Sequence, residues 1–132
     1  MADETRMVLA AREEYGSTQM RDDLILLRKF QEQYPTNFTE KLIEGRKSIP
    51  EVIEVDNARR RVKTHYLKPV WLHRNKHISD TAFYNMTDSW GIELFQTIVR
   101  PMSIAIDNKH NPEIADFDHL ASHLRNLKWY RL

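Results

Sequence analysis

The stretch PEVIEVDNARRRVKTHYLKPVWLHRN (Pro50–Asn75) decides the fold class of this chain. Its apolar residues recur at intervals of three and four, which is the spacing of one face of an α-helix. These residues are Val55, Ala58, Val62, Tyr66 and Val70. Pro69 falls inside the pattern and predicts a kink, because proline lacks the amide hydrogen that a helix interior uses. The stretch therefore predicts one long helix.

The same helical period extends over nearly all of the chain. Further helices are predicted at residues 5–15, 17–34, 37–45, 79–101 and 112–127, and the one at 79–101, apolar on two sides, is expected to be central. Only three glycines and five prolines occur in 132 residues, which argues against many short strands and tight turns. The sequence therefore predicts an all-α fold, a compact antiparallel bundle of five or six helices in a single domain, 1–132.

Composition limits the classes of function. The chain has no cysteine, which excludes zinc–thiolate sites, iron–sulfur clusters and a cysteine nucleophile. Its net charge of +1 argues against a strong electrostatic footprint on nucleic acid. No secretory signal is visible at the start of the sequence, and no apolar run reaches the roughly 18 residues of a membrane span. These features predict a cytoplasmic protein with no membrane span.

The region from Asn57 to Leu127 contains four characteristic pieces. They are NARRRVKTHYLKPVWL, NKHISDTAFYNMTDSW, FQTIVRPM and NPEIADFDHLASHL. Together they resemble a family of bacterial helical proteins known only as a domain of unknown function. The resemblance implies a helical domain, and it brings no activity and no catalytic residue.

Asp116, His119 and His123 form the candidate metal site, since their spacing places all three on one side of a helix. Carboxylate and neutral imidazole suit zinc, iron or manganese. The pattern lacks the glutamate of a zinc-protease helix, and any amphipathic helix has a polar side, so a solvated face is the favoured interpretation. A second group, His65, His73 and His77, would contribute only if the fold brings the two groups together.

Arg59, Arg60, Arg61 and Lys63 are the candidate nucleic-acid-binding residues. They could contact phosphates, or they could pair with the acidic residues about one turn earlier, which are Glu51, Glu54 and Asp56. No aromatic residues alternate with them, so a stacking platform for single strands is not indicated. We favour the pairing within the helix.

Trp71, Trp129, Tyr130 and Arg131 are the candidate partner-binding residues, because tryptophan, tyrosine and arginine dominate protein interfaces. No catalytic residue and no cofactor are indicated. The leading hypothesis is a non-catalytic helical interaction module, a small subunit or adaptor that binds another protein chain or a second copy of itself. The alternatives are a metal-binding enzyme or sensor using Asp116, His119 and His123, and a weak nucleic-acid-binding protein.

Overall fold

The computed structural model describes residues 2–106 and 113–124, and in these two ranges it contains helices and no strand. The all-α prediction is confirmed. The helices are α1 (Ala2–Tyr15), α2 (Thr18–Gln33), α3 (Phe38–Gly45), α4 (Pro50–Arg74), α5 (Asp80–Thr87), α6 (Gly91–Leu94), α7 (Arg100–Ile106) and α8 (Ile114–His123). A π-helical turn, Phe95–Val99, joins α6 to α7, so that residues 91–106 form one continuous helical segment.

Two serines start helices as their sequence positions predict. The Oγ of Ser17 accepts a hydrogen bond from the backbone N–H of Met20, at 3.1 Å. The Oγ of Ser79 accepts one from the N–H of Ala82, at 3.2 Å. Each bond satisfies an amide that the first turn of a helix leaves without a partner. The Ser79 cap also places Asp80 at the first position of α5.

Helix α4 is the centre of the bundle. It packs against α1, α2, α3, α5, α8 and the π-helical turn. Its predicted apolar face is buried as expected: Val55, Ala58, Val62, Tyr66 and Val70 are each at most 2% exposed. The helix continues through Pro69 to Arg74 without a break. The central position that the sequence assigned to residues 79–101 therefore belongs to α4.

The predicted helix at 79–101 is broken between Thr87 and Gly91. Two tyrosine hydroxyls from other helices hold the break. The Tyr66 Oη lies 2.5 Å from the Oγ of Ser89, and the Tyr15 Oη accepts a hydrogen bond from the N–H of Gly91 at 3.0 Å. A Cβ at position 91 would lie 2.5 Å from the Tyr66 Oη, so the close approach requires glycine.

The break also changes the position of Trp90. A single helix over 79–101 places this residue in a buried stripe with Phe83, Leu94 and Ile98, but Trp90 is 72% exposed. The stripe prediction is wrong for Trp90, because the helical phase restarts at Gly91, whereas the other three residues of the stripe are buried. Beyond the break, the π-helical turn leads directly into the segment that contains Pro101, and the N–H of Arg100 bonds to the carbonyl of Phe95.

The buried apolar side chains form one cluster that draws on α2, α3, α4, α5, the 91–106 segment and α8. Its largest fully buried members are Tyr66, Phe83, Phe95 and Phe117. Within the described ranges, no helix combines the length and the apolarity needed to cross a lipid bilayer.

Candidate metal centre

Three histidines from two helices converge at one end of α4. His73 is the second-to-last residue of α4, and His119 and His123 lie one turn apart on α8. One ring nitrogen from each of the three lies within 4.8 Å of the others. The closest pair is His73 Nδ1 and His119 Nε2, at 2.7 Å. We call His73, His119 and His123 the histidine cluster.

The docking of α8 places two of these ligands. Phe117, Leu120 and Leu124 are buried on one side of the helix, and the Phe117 ring lies 5.7 Å from that of Phe95. Ion pairs then hold the neighbouring side. Asp116 pairs with Arg74, Glu113 lies 3.1 Å from the Nζ of Lys63, and Asp118 lies 2.9 Å from Arg100. As a result, His119 and His123 lie over the end of α4.

Hydrogen bonds to oxygen acceptors assign the protons on two of the rings. His73 Nε2 lies 2.6 Å from the Asp80 Oδ1, so Nε2 carries the proton and Nδ1 keeps a lone pair. His123 Nδ1 lies 2.9 Å from the carbonyl oxygen of His119, so Nδ1 carries the proton and Nε2 keeps a lone pair. A proton on His119 Nε2 completes an N–H···N bond to His73 Nδ1, and a metal ion would take the place of that proton.

The surroundings of His119 favour its neutral imidazole, which is the form that binds metals. The His73 side chain is 10% exposed, and its ring stacks on Phe83 with centroids 4.3 Å apart and planes 12° apart. Burial lowers the pKa of His119, and the nearby imidazoles of His123 and His73 lower it further. The hydrogen bond from His73 lowers the pKa of Asp80, which keeps that group a carboxylate.

The donor set and its geometry fit a transition-metal ion. With Zn–N bonds of 2.0–2.1 Å, the ligand nitrogens of a tetrahedral zinc site are about 3.3 Å apart. That spacing falls between the 2.7 Å of the closest pair and the 4.8 Å that bounds the cluster. The separations of the ring nitrogens are therefore compatible with a shared ion. A carboxylate on the second nitrogen of a ligating histidine, as Asp80 is on His73, is a recurrent feature of metal sites.

The structure brings together some residues of the two groups that the sequence analysis identified, and leaves others apart. His119 and His123 join His73, whereas Asp116 is turned to Arg74 and is not part of the cluster. His65 pairs instead with Glu14, and His77 stacks on Trp71. This side of α8 is partly buried, because it meets the end of α4. Sequence reasoning missed the role of Asp80, whose only signal was its position seven residues after His73.

The candidate nucleic-acid-binding residues all pair with carboxylates. Arg59 and Arg60 bind Asp56, at 2.9 and 3.0 Å, as the pairing alternative predicted. The other two pair across helices, which sequence spacing did not predict. Arg61 binds Asp23 of α2 through two nitrogens, at 2.8 and 2.9 Å, and Lys63 binds Glu113, at 3.1 Å.

Of the four candidate partner-binding residues, the structure describes only Trp71. Trp71 is 54% exposed on α4, with its indole stacked on the His77 ring at 5.4 Å. Trp129, Tyr130 and Arg131 lie outside the described residues.

No protein-family model, curated protein or solved structure matches this chain. The resemblance to a domain of unknown function therefore stays a prediction. The fold and the site together define the chain as an all-α protein with a candidate three-histidine metal centre.

Proposed function

We propose that this protein binds one divalent transition-metal ion through His73, His119 and His123. The observation that carries the proposal is the convergence of three ring nitrogens from two helices, with Asp80 and a backbone carbonyl on the outer nitrogens of two of the rings. Those bonds leave the other ring nitrogen of His73 and of His123 with a lone pair for an ion, and such partners on ligating histidines are common around known metal ions. Imidazole ligands suit zinc, copper, nickel and iron.

Three protein ligands leave at least one coordination position for water or a substrate. This is the pattern of catalytic zinc sites, whereas structural zinc sites use four protein ligands. A metal ion in such a position acidifies its bound water and produces a nucleophile near neutral pH. The proposed function is therefore that of a metal-dependent enzyme or metal sensor, with the ion held between α4 and α8.

Zinc titration tests the proposal directly. Chain purified without a histidine tag and stripped with a chelator should bind about one Zn²⁺, because the chain offers one such cluster in its described part. Binding to the folded state alone should stabilise it by about 2.7 kcal/mol when free zinc is 100 times Kd, visible as a rise in Tm. The absence of both stoichiometric binding and a Tm shift with zinc, nickel, copper and iron(II) would refute the proposal.

A second candidate function is the interaction module that the sequence favoured. The observation that supports it is the exposure of two tryptophans, Trp71 at 54% and Trp90 at 72%. Exposed large aromatic residues mark interfaces more often than other surface residues do. The partner would be another protein chain or a second copy.

Cross-linking at native abundance in the host, followed by sizing, tests this second function. We expect a discrete complex whose yield falls several-fold in a Trp71→Ala variant, because tryptophan anchors commonly contribute 2 kcal/mol or more to binding, roughly 30-fold in affinity. A Lys47→Ala change at another exposed position is the matched control. A chain that stays a bare monomer, or a complex that both variants leave unchanged, would contradict this function.

A further inference from the structure

A second candidate site lies between α1 and α4, away from the histidine cluster. It is a cavity of about 290 Å³, to whose lining Met86 of α5 also contributes. Its apolar lining consists of Met7, Ala10, Ala11, Pro69 and Met86. Its polar lining consists of Arg6, Glu14, His65 and Lys68. The cavity thus combines an apolar surface with a small set of charged groups, which is the usual composition of a ligand pocket.

A pair made of the buried His65 and the largely exposed Glu14 lies in the lining of this cavity. His65 Nδ1 lies 2.5 Å from the Glu14 Oε1, and the His65 side chain is 2% exposed. The His65 ring also packs edge-on against Tyr66, with centroids 4.8 Å apart. Because Glu14 belongs to α1 and His65 to α4, the pair ties the two helices together at the cavity. It also occupies one oxygen of the only carboxylate in the lining.

The remaining charges of the lining are positive. Arg6 of α1 and Lys68 of α4 line the cavity from different helices, and both side chains are exposed. Neither forms an ion pair with any residue in the described part of the chain. Two cations against one engaged carboxylate create a local field that favours a negatively charged ligand. Arginine and lysine are also the usual donors to carboxylates.

We propose that this cavity binds a small monocarboxylate with an apolar body. The carboxylate lies between Arg6 and Lys68, and the apolar body lies against Met7 and Met86. Methionine side chains adapt readily to aliphatic ligands of varied shape. The volume of about 290 Å³ is at the lower limit for ligand pockets, which favours a chain of about six to ten carbons.

Octanoate is the probe, and octanamide is its neutral counterpart of nearly equal size. Titrations followed by amide chemical shifts and calorimetry should give octanoate at least a tenfold lower Kd, because hydrogen bonds to charged groups contribute about 1.5–3 kcal/mol. Lys68→Ala and Arg6→Ala should each weaken octanoate binding about tenfold. Arg12→Ala is the control, because Arg12 is an exposed arginine of α1, the helix of Arg6, and lies outside the cavity. It should leave octanoate binding unchanged.

An Ala10→Phe variant tests the position of the apolar body. Ala10 is exposed yet lines the cavity, so a larger side chain fills the volume without entering the core. We expect loss of octanoate binding with an unchanged urea midpoint and unchanged zinc binding, which separates this site from the metal centre. Equal affinity for octanoate and octanamide, no binding of either, or full octanoate binding by Ala10→Phe would overturn the proposal.

Discussion

Replacing His119 by alanine should weaken Zn²⁺ binding by at least about 100-fold. Loss of groups that only orient a ligand already costs 10–100-fold in metal affinity, and His119 supplies a ligand itself. Its Nε2 lies 2.7 Å from His73 Nδ1, so its removal leaves only two nitrogens of the cluster among the residues that the structure describes. Competition with a chromophoric chelator measures the change.

Two further variants distinguish ligation from general disturbance. His77→Ala is the matched control, since His77 is an exposed histidine close in sequence to His73 that stacks on Trp71 outside the cluster. It should leave zinc affinity unchanged. Asp80→Asn should weaken binding 10–100-fold by removing the charged acceptor on His73 Nε2. Equal losses in His119→Ala and His77→Ala would show that the histidine cluster is not the site.

The second large effect concerns the buried arginine at the centre of the bundle. Asp56→Ala should lower the free energy of unfolding by about 3–5 kcal/mol, because it leaves Arg59 buried without its counter-charge. Arg59 is 4% exposed, and its Nε lies 2.9 Å from the Asp56 Oδ1. Burial lowers the pKa of Arg59, and Asp56 opposes that shift, so this partner stabilises the buried guanidinium charge. Urea denaturation at neutral pH measures the loss.

Asp118→Ala is the matched control for this stability effect. The Asp118 side chain is 62% exposed and pairs with Arg100 at 2.9 Å, so its removal should cost at most about 1 kcal/mol. A double variant, Asp56→Ala with Arg59→Met, should recover much of the loss, because it removes the uncompensated charge. Equal costs for Asp56→Ala and Asp118→Ala would show that the burial of Arg59 does not make the pair critical.

The apolar face of α4 and its buried ion pair show which features the spacing of residues in the sequence is sufficient to predict. The apolar face of α4 was read correctly from Val55 to Val70, because every residue of that face lies within a few helical turns of the next. The link between Arg59 and Asp56 followed from the same rule, as the two are three residues apart. The break before Gly91 could not be predicted in this way. It depends on the hydroxyls of Tyr15 and Tyr66, whose positions are set by other helices.

In the candidate metal centre too, some features follow from spacing within one helix and others depend on how the helices pack. The spacing of His119 and His123 is a property of one helix and was visible in the sequence. His73 is 46 residues from His119, and its approach depends on the docking of α8 through Phe117, Leu120 and Leu124. Asp116 shares the spacing of the two histidines but lies beside Arg74, which occupies its carboxylate.

The sequence alone thus determined that the chain is helical and which side of α4 is buried, because helical periodicity acts over a few residues. The tertiary structure decided which histidines meet, which carboxylates remain available and where a predicted helix breaks. These outcomes depend on contacts between residues far apart in sequence, and such contacts exist only once the helices have packed.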